Sequence, residues 1–156
     1  MRKEDIHANL SALAFDFFYW FSRFEFALKE NHYLKSHEPG ANAEAGWKEY
    51  VAKWHSEYNL SSEASELLKL LPQRQVVLAG DQLDWKPLNL SNSKSELEAV
   101  VQCLKTVRNN LFHGGKHGCK GWDDPQRTEA LLGSGKAVLG QLAELAGFHA
   151  DYTRHY

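Results

Sequence analysis

The sequence predicts an all-α domain, a bundle of four or five helices with an irregular loop or small hairpin at about residues 72–92. Two observations predict this class. Long segments carry apolar residues at steps of three, four and seven, which is the spacing of one helix face. Glycine, proline and asparagine are concentrated between these segments, where they favour loops. The length of 156 residues suits one domain, so we expect a single domain over residues 1–156.

The first predicted helix runs from about Glu4 to Lys35, a stretch without glycine or proline. Its main stripe consists of apolar residues at helical spacing, namely Leu10, Leu13, Phe17, Phe21, Phe24 and Leu28. Its other faces carry the further apolar residues Phe15, Phe18, Trp20 and Phe26. A helix that is apolar nearly all round is buried on more than one side. We interpret it as a central core helix, or as one that also faces a second subunit.

Two short helices are predicted next. Residues 37–46 have loop composition, and a helix is expected over Trp47–Tyr58. Ser61 or Ser62 is a suitable N-cap for another helix, which a proline ends after Leu71.

The irregular stretch that follows contains one hairpin pattern. Two short segments, Gln75–Leu78 and Gln82–Trp85, flank the turn-forming tripeptide Ala-Gly-Asp. A small hairpin is therefore an alternative to a loop in this stretch.

The next helix contains the most informative residues. Ser93 or Ser95 can cap it, Glu96 and Glu98 suit its first turn, and Gly114–Gly115 end it. Its apolar stripe consists of Leu97, Val100, Val101, Leu104, Val107 and Leu111.

A last helix is expected over about Pro125–Ala146. Its inward positions are Leu131, Leu132, Val138, Leu139, Leu142 and Leu145. The run Gly133–Lys136 is not a phosphate-binding loop, because Ala130 and Ala137 stand where that motif needs glycine and Ser or Thr. We interpret its small residues as allowing close packing against a neighbour. The segment Phe148–Tyr156 either packs on the bundle or frays, and the sequence leaves both open.

Composition limits the class of protein. The net charge of −2 excludes a generally basic nucleic-acid surface, so any anion site must be local. Cys103 and Cys119 form no close-spaced pair, which favours a reducing compartment. The charged N-terminus lacks the apolar core of a signal peptide, and no apolar run approaches the ~20 residues of a membrane span. We therefore expect a cytoplasmic protein without membrane contact.

A local basic patch lies in residues 99–122, which contain no acid. Its members are Lys105, Arg108, His113, Lys116, His117 and Lys120. A helix C-terminus favours basic residues for stability alone, which explains part of the pattern. It does not explain Arg108, which takes a core-facing position and needs a partner. That partner is either an acid of this chain or a phosphate.

Arginine followed by histidine suits phosphodiester chemistry. Arginine is permanently charged and holds phosphate oxygens bidentately. Histidine titrates near neutral pH and can move a proton. Together they can activate a ribose 2′-hydroxyl against the neighbouring phosphate without a metal ion.

The run from Val107 to Lys116 resembles the motif of the HEPN superfamily, which is an arginine, four to six residues with the first often polar, and a histidine. Here four residues separate Arg108 from His113, and the first of them is Asn109. The aromatic first helix, with Phe21–Lys29, also looks like the opening helix of that superfamily. The resemblance implies an all-helical bundle and a metal-independent endoribonuclease that leaves 2′,3′-cyclic phosphate and 5′-hydroxyl ends.

The resemblance also implies roles for residues of this chain. Arg108 is expected to bind and stabilise the scissile phosphate, and His113 to act as general base or acid. Asn109 would support this pair or contact RNA. Lys116 either adds a phosphate contact or is a solvated loop lysine.

Glu25 is a further candidate, because it lies in the aromatic run of the first helix. It either pairs with Arg108 and orients it, or is a surface acid beside Lys29, an i,i+4 pair worth only ~0.3 kcal/mol.

Partners follow from the same resemblance. A homodimer with a composite active site, an RNA substrate and a cognate antitoxin protein are expected, as in toxin–antitoxin or antiphage defence systems. No cofactor and no metal are expected, since His113, His117 and Cys119 lack an evident fourth ligand. The alternatives are a catalytically silent HEPN module that binds RNA, nucleotide or protein, and a structural subunit of a two-protein complex.

Overall fold

The computed structural model describes residues 8–112 and 124–154. Its elements are α1 (Ala8–Glu30), α2 (Trp47–Trp54), α3 (Ser62–Leu70), β1 (Gln73–Val77), β2 (Leu83–Pro87), α4 (Glu96–Phe112), α5 (Pro125–Leu145) and α6 (His149–Thr153). The described chain is therefore mostly helical, with six helices and one two-stranded antiparallel sheet. In these two ranges, every helix is too short or too polar to span a lipid bilayer.

Helix α1 is the centre of the core, as its stripe predicts. Leu10, Phe17, Phe21, Phe24 and Leu28 are buried. They pack mainly against α5 and α6. The helix ends earlier than the predicted Lys35, because the chain turns after Glu30 with a left-handed residue at position 32, whereas the predicted start at Glu4 lies outside the described residues.

Helix α5 approaches α1 closely at one glycine. A Cβ atom added to Gly135 would lie only 2.6 Å from Cε2 of Phe17, so glycine is required there. Beside this contact, Lys136 Nζ donates to Asp16 Oδ2 at 2.7 Å. The interpretation of the small residues as a packing surface is confirmed at Gly135, whereas Gly133 faces open space.

Caps and long-range hydrogen bonds fix the short helices. Ser61, rather than Ser62, caps α3, and its Oγ accepts from the Ala64 amide at 3.0 Å. From α5, Arg127 Nη2 donates to the Leu70 carbonyl at 2.5 Å and so satisfies the other end of α3. In α2, the buried Tyr50 hydroxyl donates to the Leu142 carbonyl at 2.7 Å.

The hairpin alternative for residues 72–92 is confirmed. Strands β1 and β2 pair from Gln73 opposite Pro87 to Val77 opposite Leu83. The turn between them contains Gly80 at a φ of +74°, a conformation that favours glycine. The hairpin is anchored on α4, where Asn110 Nδ2 donates to the Gln73 carbonyl at 2.7 Å.

Helix α4 has the cap and the core face that the sequence predicts. Ser95 Oγ accepts from the Glu98 amide at 3.2 Å, and Glu98 Oε2 accepts from the Lys94 amide at 2.7 Å. Its stripe from Leu97 to Val107 is buried, with Leu111 half-buried at the end. The described helix ends at Phe112, so the predicted stop at Gly114–Gly115 lies outside the described residues.

The C-terminal segment packs on the bundle and forms the sixth helix, which the expected four or five did not include. Phe148 and Tyr152 are buried. Arg23 donates to the carbonyls of Asp151 and Tyr152, and Asn31 Nδ2 donates to Asp151 Oδ2 at 2.9 Å. Of the two outcomes open at the sequence level, packing is the one observed for the described part of this segment.

We predict that Gly135→Ala destabilises the protein by about 1–3 kcal/mol, because the buried Phe17 ring must move to admit the methyl group. Gly133→Ala in the same helix is the matched control. It meets no atom within 4 Å and should stabilise the fold by up to about 1 kcal/mol through helix propensity. Urea denaturation of both variants measures the difference. Equal stabilisation by the two substitutions would contradict the close approach.

Candidate functional site

The last turns of α4 place Arg108 between two aromatic rings. Its guanidinium carbon lies 4.9 Å from the ring centroid of Phe112 and 5.9 Å from that of Phe21. Nη1 donates to Asn109 Oδ1 at 3.1 Å. Phe21 is buried in the core, so the ring that the half-buried Arg108 side chain contacts has a fixed position.

No carboxylate of the described residues pairs with Arg108. The ion pairs found in these ranges join Lys35 to Glu44, His37 to Glu49 and Lys136 to Asp16. Of the two partners that the sequence left open, an acid within residues 8–112 and 124–154 is therefore excluded. The guanidinium retains donors for an anion.

Glu25 makes neither of the contacts expected for it. It forms no ion pair with Arg108 or with Lys29 among the described residues; instead its Oε1 accepts from the Trp47 indole at 2.9 Å. The physical reason is that a buried indole N–H requires an acceptor, and the half-buried Glu25 carboxylate is within reach. The Trp47 ring in turn lies 5.4 Å from the Phe21 ring, which also supports Arg108.

The other predicted site residues lie outside the described residues. His113 follows directly on the last described residue of α4, and Lys116 comes three positions later. Arg108 and Asn109 are therefore the described members of the motif, and they contact each other.

Two cavities lie along α4, one beside its N-terminal half and one beside its last turns. A groove of about 710 Å³ between α2 and α4 is lined on one side by Trp47, Lys48, Val51, Ala52 and His55, and on the other by Lys94, Ser95, Glu98, Val101, Gln102 and Lys105. A smaller cavity of about 380 Å³ lies under the hairpin, between Arg74, Gln75, Trp85, Leu88, Thr106, Asn109 and Asn110. Sequence analysis missed both, because their walls come from segments far apart in the chain.

An exposed aromatic patch lies beside the same helix end. Phe15 is 67% exposed, Phe18 37% and Phe112 58%, which is unusual for such large apolar side chains. The rings of Phe18 and Phe112 stack with centroids 5.5 Å apart. Ala14 and Leu111 complete the shallow depression between them. Phe15 and Phe18 are the residues that give α1 its second apolar face.

Cys103 and the metal-ligating side chains of the described residues form no second candidate site. Burial raises the pKa of the Cys103 thiol to about 12, so this cysteine stays protonated and does not act as a nucleophile near neutral pH. No group of three His, Cys, Asp or Glu side chains that could hold a metal ion occurs within residues 8–112 and 124–154. The triad weighed as a metal site, with His117 and Cys119, lies outside the described residues.

Comparison of the chain with protein-family models, with curated proteins and with solved structures finds no match.

We predict that Glu25→Leu costs about 1–3 kcal/mol of stability, because the Trp47 indole N–H loses its acceptor. Glu25→Gln is the matched variant. It keeps a carbonyl oxygen at the same place and should cost less than about 1 kcal/mol. Thermal or urea denaturation of both variants measures this contrast. If the two variants were as stable as the wild type, the hydrogen bond would contribute nothing to folding.

Proposed function

We propose that this chain is a metal-independent endoribonuclease of the HEPN type. It would cleave RNA by attack of a 2′-hydroxyl on the adjacent phosphate and leave a 2′,3′-cyclic phosphate and a 5′-hydroxyl. One observation carries the proposal. Arg108, at the start of the Arg-x4-His motif, is half-buried, its guanidinium lies against the rings of Phe21 and Phe112, and it has no carboxylate partner among the described residues.

In this proposal Arg108 binds the scissile phosphate. Two parallel N–H donors of a guanidinium match two phosphate oxygens, and partial burial strengthens this interaction relative to water. Charge grows on those oxygens as the fifth P–O bond forms, so Arg108 stabilises the transition state more than the substrate. Asn109 accepts one guanidinium proton and restricts the orientation of the side chain.

His113 supplies the proton transfers. One imidazole removes the proton of the attacking 2′-hydroxyl, and a protonated imidazole donates to the leaving 5′-oxygen, so the step balances without water or metal. A composite site in a homodimer provides two copies of His113 for these two roles. Lys116 stays a candidate for a further phosphate contact.

The aromatic patch of Phe15, Phe18 and Phe112 supports the homodimer. An exposed cluster of large apolar side chains is typical of an interaction surface. Phe112 contacts the Arg108 guanidinium, so a two-fold axis near this patch would bring two Arg108 side chains into one cleft. A toxin or antiphage role with a cognate antitoxin follows from the superfamily resemblance alone and stays a prediction.

We expect the purified protein to cleave total cellular RNA in the presence of EDTA, with cyclic-phosphate ends. Arg108→Ala and His113→Ala should each lower the rate by at least about 100-fold, because a phosphate clamp or a proton-transfer group is lost. Arg108→Lys should recover only part of the rate, since a lysine keeps the charge without the bidentate geometry. Gel analysis with end-group mapping measures this.

His149→Ala removes an exposed histidine far along the chain and is the control, expected to cleave as the wild type does. Absence of cleavage by a folded wild-type dimer would refute the nuclease and favour the silent binding module. If Arg108→Ala cleaved RNA as fast as the wild type, Arg108 would not be part of the active site.

We expect the wild type to be a dimer at micromolar concentration and Phe15→Ser to be mainly monomeric, because the variant places a hydroxyl in an apolar interface. Val77→Ser changes a side chain of the hairpin with nearly the same exposure, 68%, and should leave the dimer intact. Sedimentation velocity distinguishes the two states. A monomeric wild type would contradict the composite site.

A further inference from the structure

The groove between α2 and α4 gathers three lysines from separate parts of the chain. Lys48 comes from the start of α2, Lys94 from the segment before α4 and Lys105 from the middle of α4. We call this cavity the lysine groove. Its volume of about 710 Å³ lies within the range of small-molecule sites.

The lysine groove is cationic although the chain carries a net charge of −2. All three lysines are exposed, and none forms an ion pair with a described residue. Among the described residues that line it, Glu98 is the one acid, and its carboxylate accepts from the Lys94 amide. Exposed lysines are ordinary singly, but three that converge on one concave surface favour a bound anion.

The floor of the lysine groove is apolar. Val51 and Ala52 of α2 face Val101 of α4, above the buried Trp47. A ligand that fits these walls therefore combines negative groups with flat, weakly polar surfaces. Nucleotides have this composition, with phosphates for the lysines and base or ribose faces for the floor.

The lysine groove and Arg108 lie along the same helix, α4. On α4, Glu98, Val101, Lys105 and Arg108 follow one another at steps of three and four, so they form one row along the helix. From Glu98 to Arg108 this row is about 15 Å long at the rise of an α-helix. Trp47 links the two sites. It lines the groove, and its ring centroid lies 5.4 Å from that of Phe21, the ring that Arg108 contacts.

We propose that the lysine groove binds the single-stranded RNA segment that flanks the phosphate held by Arg108. The three lysines of the groove and Arg108 are four separate cations, more than one phosphate group engages, so they suit several phosphates of one strand. Only unpaired bases can turn their faces to the apolar floor, so a single strand is favoured over a duplex. This inference deepens the proposed function and rests on it.

The test is the binding of a labelled oligonucleotide made of 2′-O-methyl RNA, which cannot be cleaved because it lacks 2′-hydroxyls. Fluorescence anisotropy is recorded at several salt concentrations. The double variant Lys48→Gln/Lys105→Gln should bind about tenfold more weakly than the wild type, as expected for two lost phosphate contacts. It should also lower the slope of log affinity against log salt by about 1.4, which is ~0.7 for each single-strand phosphate contact.

Lys53→Gln/Lys69→Gln is the matched control, with the same change of charge at exposed positions of α2 and α3 outside the groove. It should bind within about twofold of the wild type, as expected for exposed charges that contact no phosphate. Equal binding by the groove variant and the control would overturn the proposal. ATP that bound as tightly as the oligonucleotide, with the same dependence on the lysines, would assign the groove to a mononucleotide and also overturn it.

The outcomes separate this inference from the nuclease itself. A wild type that binds the oligonucleotide through the lysines but cuts no RNA refutes the nuclease and keeps the groove as an RNA site. A wild type that cuts RNA, while the groove variant binds and cuts equally well, keeps the nuclease and refutes the groove. Arg108→Ala should abolish cleavage and retain most of the lysine-dependent binding.

Discussion

The packing of aromatic rings on α1 is the interaction on which the rest of this structure depends. Phe24 is fully buried, and its ring contacts Trp47 and Tyr50 of α2 as well as Phe148 and Tyr152 near the C-terminus. One side chain thus joins the first helix to the second and to the last. Large rings bury much apolar area and lose little side-chain entropy, so such a cluster stabilises a small bundle efficiently. Phe21, one turn earlier, extends the cluster to the end of α4.

That extension explains how the candidate site is placed. Arg108 rests on the ring of Phe21, which is buried, and on the ring of Phe112, which belongs to its own helix. The Arg108 side chain is half-buried and has no carboxylate partner among the described residues, so its charge is left for a partner outside them. Such an arrangement is typical of functional positions, and a bound phosphate would be that partner.

The aromatic patch and the lysine groove, which both lie along α4, would attract partners through different forces. The aromatic patch of Phe15, Phe18 and Phe112 favours association through apolar area, which depends little on salt. The lysine groove favours polyanions through charge, which depends strongly on salt. Since the chain as a whole is slightly acidic, the proposed RNA binding would rely on these local contacts rather than on long-range attraction.

The sequence by itself indicated helices α1 to α5, because their periods and caps are local, but it left the packing of the α6 segment open. The stripe of α4 follows from residues one turn apart, whereas the sequence left its cap open between Ser93 and Ser95 and the hairpin around Gly80 as an alternative to a loop. It also located Arg108 and Asn109 as neighbours. Only the tertiary structure decided which residues meet across elements. Glu25 accepts a hydrogen bond from Trp47 and does not pair with Arg108. The Phe17 ring packs against Gly135, and Lys48 and Lys105 line the same groove. These contacts join residues far apart in the chain, and their partners are chosen by the packing of rings and helices, which no local pattern encodes.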